Sequence, residues 1–430
     1  MTYNFIDLFA GAGGLSEGFI RRGFTPVAHV EMDPNAVLTL KTRMVYHHLK
    51  KKKKITHYFK YLKGEITRDE LYAKLPQDKD EVVINKEISD QSIDEIFAEI
   101  DKTLNNQERQ TVDVLIGGPP CQAYSLVGRA RDPYGKENDP RNYLYRQYVK
   151  FLEKYQPNVF VFENVPGILN AGKGILFNDI AKILDESGYK IKAKILNAVD
   201  FGVLQQRRRV ILIGWKKGLQ YGYPKFKPIE HNYLVNDLLK DLPPLNPGES
   251  DDRYSTDPTE YLLKSKLRSK DDVLTQHITR MHNNNDLEIY KIAIELWNKE
   301  KKRLNYADLP PRLRTHKNLE AFLDRFKVVG ADLQHSHTMV AHIAKDGHYY
   351  IHPSDIQRRS LSVREAARIQ SFPDNYFFEG SRTAAFTQIG NAVPPLMAEN
   401  IAEKVLKLLE NDVSLEFEEE LEDTQQQVLF

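Results

Sequence analysis

Cysteine is almost missing from this chain: there is one, Cys121, in 430 residues. A single thiol excludes an intrachain disulfide and a cysteine-built zinc site, and it suits a reducing compartment. No metal is expected. Long apolar runs are missing too, since none approaches the ~18 residues that a membrane span needs. The strand-like Tyr3–Ala10 follows the first Met so closely that no signal peptide fits before it. A cytoplasmic protein without membrane attachment is the expectation. Strong charge of one sign is also lacking, at net +1, which speaks against a nucleic-acid binder. The distribution reverses that reading. Residues 410–430 hold eight acids and no Lys or Arg, so residues 1–409 carry +9. The body is moderately basic, and the acidic tail 411–430 reads as disordered and solvated. Internal repeats are absent.

What is present reads as an α/β chain of two domains. Tyr3–Ala10 reads as a strand, Gly11-Ala12-Gly13-Gly14 as a tight turn, Leu15–Arg22 as a helix and Thr25–Val30 as a second strand ending at Glu31-Met32-Asp33. Strand, glycine turn, helix, strand and acid form the opening of a dinucleotide-type fold. Glu31 lies 20 residues past Gly11, the spacing at which an acid meets a ribose diol. No glycine follows Gly14 until Gly18. That weakens a pyrophosphate cradle and leaves room for an adenosine ligand without phosphates; a turn needed only for packing stays open at this point. Pro34 begins a helix to about His48, and the five lysines Lys50–Lys54 read first as a solvated face, with phosphate contact the minority reading. The polar, helical stretch to Gln110 is interrupted by a third strand, Glu81–Asn85. Glu87-Ile88 follow it, where a second contact to a nucleoside is expected.

The strand Val112–Ile116 stops at Gly117-Gly118-Pro119-Pro120-Cys121-Gln122-Ala123-Tyr124-Ser125. Ligands of open α/β sheets sit beyond the carboxyl ends of the strands. A thiol on a proline-stiffened loop there is presented, not packed. Gly128–Pro133 reads as a mobile loop, Asn142–Tyr155 as an amphipathic helix and Val159–Phe162 as a strand ending in Glu163. A carboxylate at the end of an apolar strand is costly to bury without a partner or a task. Helix Ile175–Ser187 and strand Ile191–Ala198 follow. Then Phe201–Arg209 leads into the strand Val210–Trp215, with Arg207 and Arg209 on one face and Arg208 on the other. Composition shifts at Tyr221, and 221–355 reads as the second domain. It carries a basic cluster (Arg312, Arg314, His316, Lys317, Arg325, Lys327) followed by His335–Thr338, residue types that suit phosphate and base-edge contacts. Ser362 and Glu365 form a capping box in 356–384, a block joining the two domains. The last helix, with its stripe Ile401, Val405, Leu408 and Leu409, should dock back, so that 385–410 completes the domain of 1–220.

Together these segments resemble the C5-cytosine DNA methyltransferases. The resemblance rests on Phe5–Gly14, Gly118-Pro119-Pro120-Cys121-Gln122, Glu163-Asn164-Val165, Gln205-x-Arg207-x-Arg209, Arg359–Pro373 and Gly390-Asn391-Ala392-Val393, in the family's order. It covers roughly two thirds of the chain; 216–355 matches in placement only. It implies a Rossmann-like S-adenosylmethionine-dependent methyltransferase domain with a second, smaller target-recognition domain. It assigns Cys121 as the nucleophile on cytosine C6, Glu163 as the partner of N3, and Arg207 and Arg209 as neighbours of the flipped base, one of them on O2. S-adenosylmethionine would be held by Phe9, Gly11, Gly13, Glu31, Met32, Glu87, Ile88, Gly118, Pro120, Leu144, Asn391 and Val393. Double-stranded DNA would meet Gln122, Ser125 and Arg129 on a closing loop, and Arg312, Arg314 and Thr338 in the second domain. A monomer is expected, with a cognate restriction endonuclease acting on the same site. Glu87 departs from the Asp usual there, and 46–110 is longer than in compact members. A nicotinamide oxidoreductase would leave Cys121 without a role. A tRNA methyltransferase would not need the bulk of 216–355, and a catalytically dead DNA-binding protein conflicts with the intact catalytic set.

Overall fold

Seven strands build one sheet, and the apolar runs of the sequence are its central members. They are β1 (Asn4–Leu8), β2 (Thr25–Glu31), β3 (Val83–Asn85), β4 (Val114–Gly117), β5 (Val159–Asn164), β6 (Tyr189–Asn197) and β7 (Arg208–Lys216), arranged β3-β2-β1-β4-β5-β7-β6. β1 to β5 are parallel, and β7 runs antiparallel between β5 and β6. The structure, a computed structural model, describes residues 2–120, 144–315, 320 and 323–419. Cys121, Gln122, Ser125 and Arg129, and the stretch 420–430, lie outside the described residues.

Alternate side chains of the central strands go to opposite faces. Leu115, Phe160 and Phe162 join one apolar layer with Ile96, Ile100, Tyr148 and Leu184. Val114, Ile116, Val159 and Val161 join the other with Leu15, Phe19, Ile401 and Val405. Burial on both faces is why these strands read as continuous apolar runs. Helix α1 (Gly14–Arg21) and the last helix, Pro395–Leu409, cover the second face side by side. Gly18 permits their close approach, because a Cβ there would strike the main chain of Ala398. The stripe Ile401, Val405, Leu408 and Leu409 is buried as its spacing predicts.

The second domain gathers around the helix Val363–Ile369, every residue of which is buried. The Ser362–Glu365 capping box forms. Segment 356–384, expected to join the domains, is also the core of the second one, packed with Leu238, Leu262, Tyr350 and Phe378. Buried ion pairs fix it: Arg368 lies 2.6 Å from Asp374 and 2.5 Å from Asp241, and Arg359 lies 2.7 Å from Glu365. A smaller cluster of Tyr290, Trp297, Tyr306 and Phe326 forms its outer part.

Two boundaries differ from the sequence reading. Tyr223 and Phe226, beyond the composition shift, pack on the core of the first domain. The acidic tail, over its described part, is folded against the chain. Phe417 bridges to Pro224, and Glu416 and Glu418 lie 2.5 and 2.7 Å from Lys227 and Lys194. Leu415 and Phe417, set among the acids, supply the apolar contact that a solvated tail lacks, and the lysines neutralise the acids.

Buried histidines make this fold sensitive to mild acid. Burial pushes the His352 imidazole down to about 3, despite Glu365 nearby. In the unfolded chain the same ring takes up its proton near ~6.5. The unfolded state therefore binds more protons below that value, so the stability is complete above about pH 6.5 and is lost as pH falls. Near pH 5 this one group removes about 2 kcal/mol. The melting temperature is expected to drop between about pH 7 and 5, and His352→Gln to flatten that drop, in melts followed by circular dichroism.

Candidate active site at the carboxyl edge of the sheet

Parallel strands deliver their carboxyl ends to one edge, and in register Leu8 pairs with Val30 and Gly117, Glu31 with Asn85, and Gly117 with Phe162. The sequence-predicted residues follow these ends. Phe9 turns the chain out of β1 in the left-handed region, at φ +57°, a costly conformation for a bulky residue. Gly13 N donates to Ala10 O at 2.9 Å, closing the glycine turn. Glu31 lies across it, accepting from Gly11 N at 2.7 Å and from Asp33 N at 2.8 Å. Burial pushes the Glu31 carboxyl up, while the amides of Asp33 and Gly11 pull it back. Two amides aim this carboxylate, and its remaining lone pairs stay free for a diol. Met32 is 61% exposed beside it, an apolar surface open to a flat ring.

Beyond β3, Glu87 is exposed and Ile88 is buried. Gln147 donates to Asp90 at 2.9 Å, which ties the helix Leu144–Tyr155 and its half-buried first residue to this stretch. Asn391 is exposed, whereas Val393 is buried with its carbonyl against Gly14. The structure thus brings Phe9, Gly11, Gly13, Glu31, Met32 and Val393 around one turn, with Glu87, Ile88 and Leu144 toward the β3 side.

The other half of the site is built where β4 and β5 end. A Cβ on Gly118 would lie 2.5 Å from Glu163 Oε2, so only glycine fits beneath that carboxylate. Asn164 Nδ2 donates to Pro119 O at 3.0 Å. The loop Gly118–Pro120, which runs on into Cys121, is thereby fastened to the end of β5. Arg209 Nε lies 2.7 Å from Glu163 Oε1, with both side chains mostly shielded from water. This is an ion pair by distance; the Nε–H is not aligned as a hydrogen bond.

Arg207 shares the face of Arg209, as alternation requires, but not its surroundings. It is fully buried and donates to Met339 O, to Gly390 O at 3.1 Å and to Ala392 O at 2.8 Å. Burial pushes its guanidinium well below the usual arginine range, with Arg209 adding to the effect. Both terminal nitrogens are committed to carbonyls, so Arg207 ties β7 to Met339 and to the Gly390–Ala392 turn, while Arg209 is the arginine that meets Glu163. Three consecutive arginines announce an anion partner, and nothing in their order separates the one that meets carbonyls.

The three second-domain candidates are not brought together. Arg312 is exposed and lies 2.6 Å from Glu288. Arg314, half-buried, has an Nε without a partner among the described residues. Thr338 instead stands at the domain junction, its hydroxyl donating to Gln206 O at 2.6 Å. Sequence reasoning missed Tyr376, whose hydroxyl donates to Ala12 O inside the glycine turn. It also gave no role to Gln205, which accepts from Met339 N at 2.7 Å and donates to Ile369 O at 3.1 Å. Its place in the Gln205-x-Arg207-x-Arg209 spacing was the available signal.

A mostly parallel sheet with one reversed strand next to its edge, and ligand-type residues along its carboxyl edge, define a Rossmann-like methyltransferase fold. The family model for C-5 cytosine-specific DNA methylases matches residues 3–73 and 78–407, and the chain belongs to that family. It is 43% identical to the type II methyltransferase M.Bpa9945I of Bacillus paralicheniformis, over 93% of this chain and 98% of that protein. It is 31% identical to the type II methyltransferase M1.HphI of Haemophilus parahaemolyticus, over 96% and 89% of the two chains. A solved E. coli structure, described as a prophage-encoded DNA modification methyltransferase, matches in fold with a TM-score of 0.61 at 24% identity, covering 95% of this chain and all of that one. The enzyme is a DNA methyltransferase of the C5-cytosine type.

Proposed function

We propose that the enzyme acts on one cytosine in a specific duplex sequence, taking its methyl group from S-adenosylmethionine, as the modification half of a cytoplasmic restriction–modification system. The observation that carries the chemistry is the Glu163 carboxylate, held over Gly118 and beside Arg209, next to the loop that runs into Cys121. The donor supplies an electrophilic methyl group. Phe9, Gly11, Gly13, Glu31 and Met32 hold its adenosine, with Glu87, Ile88, Gly118, Pro120, Leu144, Asn391 and Val393 completing the pocket.

Cytosine C5 is a poor nucleophile while the ring is aromatic. The Cys121 thiolate adds to C6, breaking the aromaticity, and the electron pair moves toward N3 and C5. Glu163 steadies N3 through a shared proton, and Arg209 sits where charge grows on O2. C5 then takes the methyl carbon, the S–CH3 bond of the sulfonium breaking with its electrons left on sulfur as a neutral thioether. A base removes the C5 proton, the C5–H electrons re-form the C5–C6 double bond, and the Cys121 thiolate leaves with the electrons of the C6–S bond. A thiol cannot reach C6 inside a duplex, so the base is flipped out, and Gln122, Ser125 and Arg129 close over it. Arg312, Arg314 and Thr338 contact DNA from the second domain, and the enzyme works as a monomer. A restriction endonuclease reading the same sequence is the expected counterpart, with no complex between them required.

A duplex with 5-fluorocytosine at the target is expected to trap a covalent adduct, because fluorine at C5 cannot leave as a proton does. Absence of adduct on denaturing gels would count against the thiol addition. Glu163→Gln is expected to slow methyl transfer by about 10²–10⁴-fold. Bisulfite sequencing of DNA from cells expressing the chain identifies the target.

A further inference from the structure

The lysine-rich stretch after the second helix is the one sequence feature that the active site does not absorb. Residues 41–64 hold nine Lys and Arg and no Asp or Glu. Two of the nine are occupied: Lys41 lies 3.0 Å from Asp80, and buried Arg43 lies 2.6 Å from Glu17. The other seven, Lys50–Lys54, Lys60 and Lys63, are exposed. Among the described residues none of the seven forms an ion pair. Several lysines elsewhere on this domain, Lys102, Lys150 and Lys154 among them, do meet a carboxylate. A solvated face ordinarily intersperses the two signs, and this one does not.

The patch is also rigid. Helix α2 (Pro34–Lys51), α3 (Thr56–Leu62) and α4 (Arg68–Tyr72) enclose their own core of Val45, Tyr46, Leu49, Tyr58 and Leu71. Tyr58 donates to Asn375 O at 2.9 Å and Tyr61 to Glu379 at 2.7 Å, which anchors this platform to the second domain. The acids of the following segment, Glu65, Asp69 and Glu70, start past Gly64. α2 begins next to Glu31 at the catalytic edge, and the helix carries the chain about 24 Å away before Lys50 begins the run. The patch therefore stands away from the turn that Glu31 closes.

We propose that Lys50–Lys54, Lys60 and Lys63 form a second, sequence-independent site for the phosphate backbone of duplex DNA, separate from the catalytic cleft. Spacing without a planar, bidentate group suits point-charge contact with phosphates, not base readout. Such a site lets the enzyme hold one stretch of DNA while its cleft samples another. The inference rests on the reading of this enzyme as acting on DNA.

The test is a titration of the full chain with a short duplex at about 100 mM salt, with methyl transfer measured in parallel. Two equivalents of duplex per chain are expected, the weaker one fading as salt rises. The variant K51Q/K52Q/K53Q/K54Q, altered only at exposed positions, should bind the weaker equivalent at least tenfold less tightly and methylate at the wild-type rate. One equivalent in both proteins overturns the proposal. So does an equal loss of methylation in the variant, which would place the lysines in the cleft, or capture of a polyglutamate peptide as tight as that of the duplex. Failure of the DNA reading itself would show differently, as no methyl transfer by the wild type.

Discussion

Cys121→Ser is expected to remove methyl transfer by a factor on the order of 10³ or more, while S-adenosylmethionine still binds with wild-type affinity. A hydroxyl is smaller and fits the same place, but a thiol is partly ionised near neutrality, with a free pKa of about 8.5, and a serine is not. The loop leading to position 121 is fastened by Asn164 to Pro119 and seats Gly118 under Glu163, contacts that do not involve the thiol. The Gly11–Glu31 hydrogen bond joins the turn after β1 to the end of β2, and it does not involve the loop that follows β4. Radiolabelled methyl incorporation and equilibrium binding of the donor therefore separate. Turnover retained by the serine variant would remove Cys121 from the mechanism.

Arg207→Met is expected to act on a different quantity, stability. Among the described residues the guanidinium is the group that joins Met339, Gly390 and Ala392, so its loss removes a donor from three main-chain carbonyls in a dry place, of which Ala392 keeps Gln370. Hydrogen bonds to charged groups are worth about 1.5–3 kcal/mol each, and part of that is offset by relief of the buried charge. A net loss of about 2–4 kcal/mol is expected in denaturant unfolding. Arg209→Met, which unpairs Glu163 and among the described residues breaks no hydrogen bond or ion pair to the second domain, should lose activity with a far smaller change in stability. Equal destabilisation by the two would refute the separate roles drawn for these neighbours.

The sheet was legible because its strands are buried on both faces, so runs such as Val159–Phe162 stand out without any alternation. The last helix was legible from its stripe, and Ser362–Glu365 from a capping box that depends on local geometry alone. Glu31 could be placed because a fixed length of chain joins a glycine turn to the next strand end. The distinction between Arg207 and Arg209 could not, since it depends on carbonyls 132 to 185 residues away. The acidic tail was misread over 411–419 for a related reason. Its partners, Lys194 and Lys227, are distant in sequence, and composition weighs a segment's own charges alone. Tyr376 was invisible as a functional residue because an aromatic among Phe372 and Phe378 looks like core, and it is core as well.

That last contact decides which part of the molecule the glycine turn belongs to when the chain opens. Ala12 is continuous with β1, yet its carbonyl is held by a ring rooted in the second domain, and its side chain packs in that domain's apolar cluster. Arg43 strengthens the attachment, reaching Glu17 of α1 and Asn375 beside Tyr376. Local openings of a protein follow contiguous cooperative units, not sequence neighbours. The turn at the mouth of the first strand is therefore expected to open together with the second domain, and not with the strand from which it emerges.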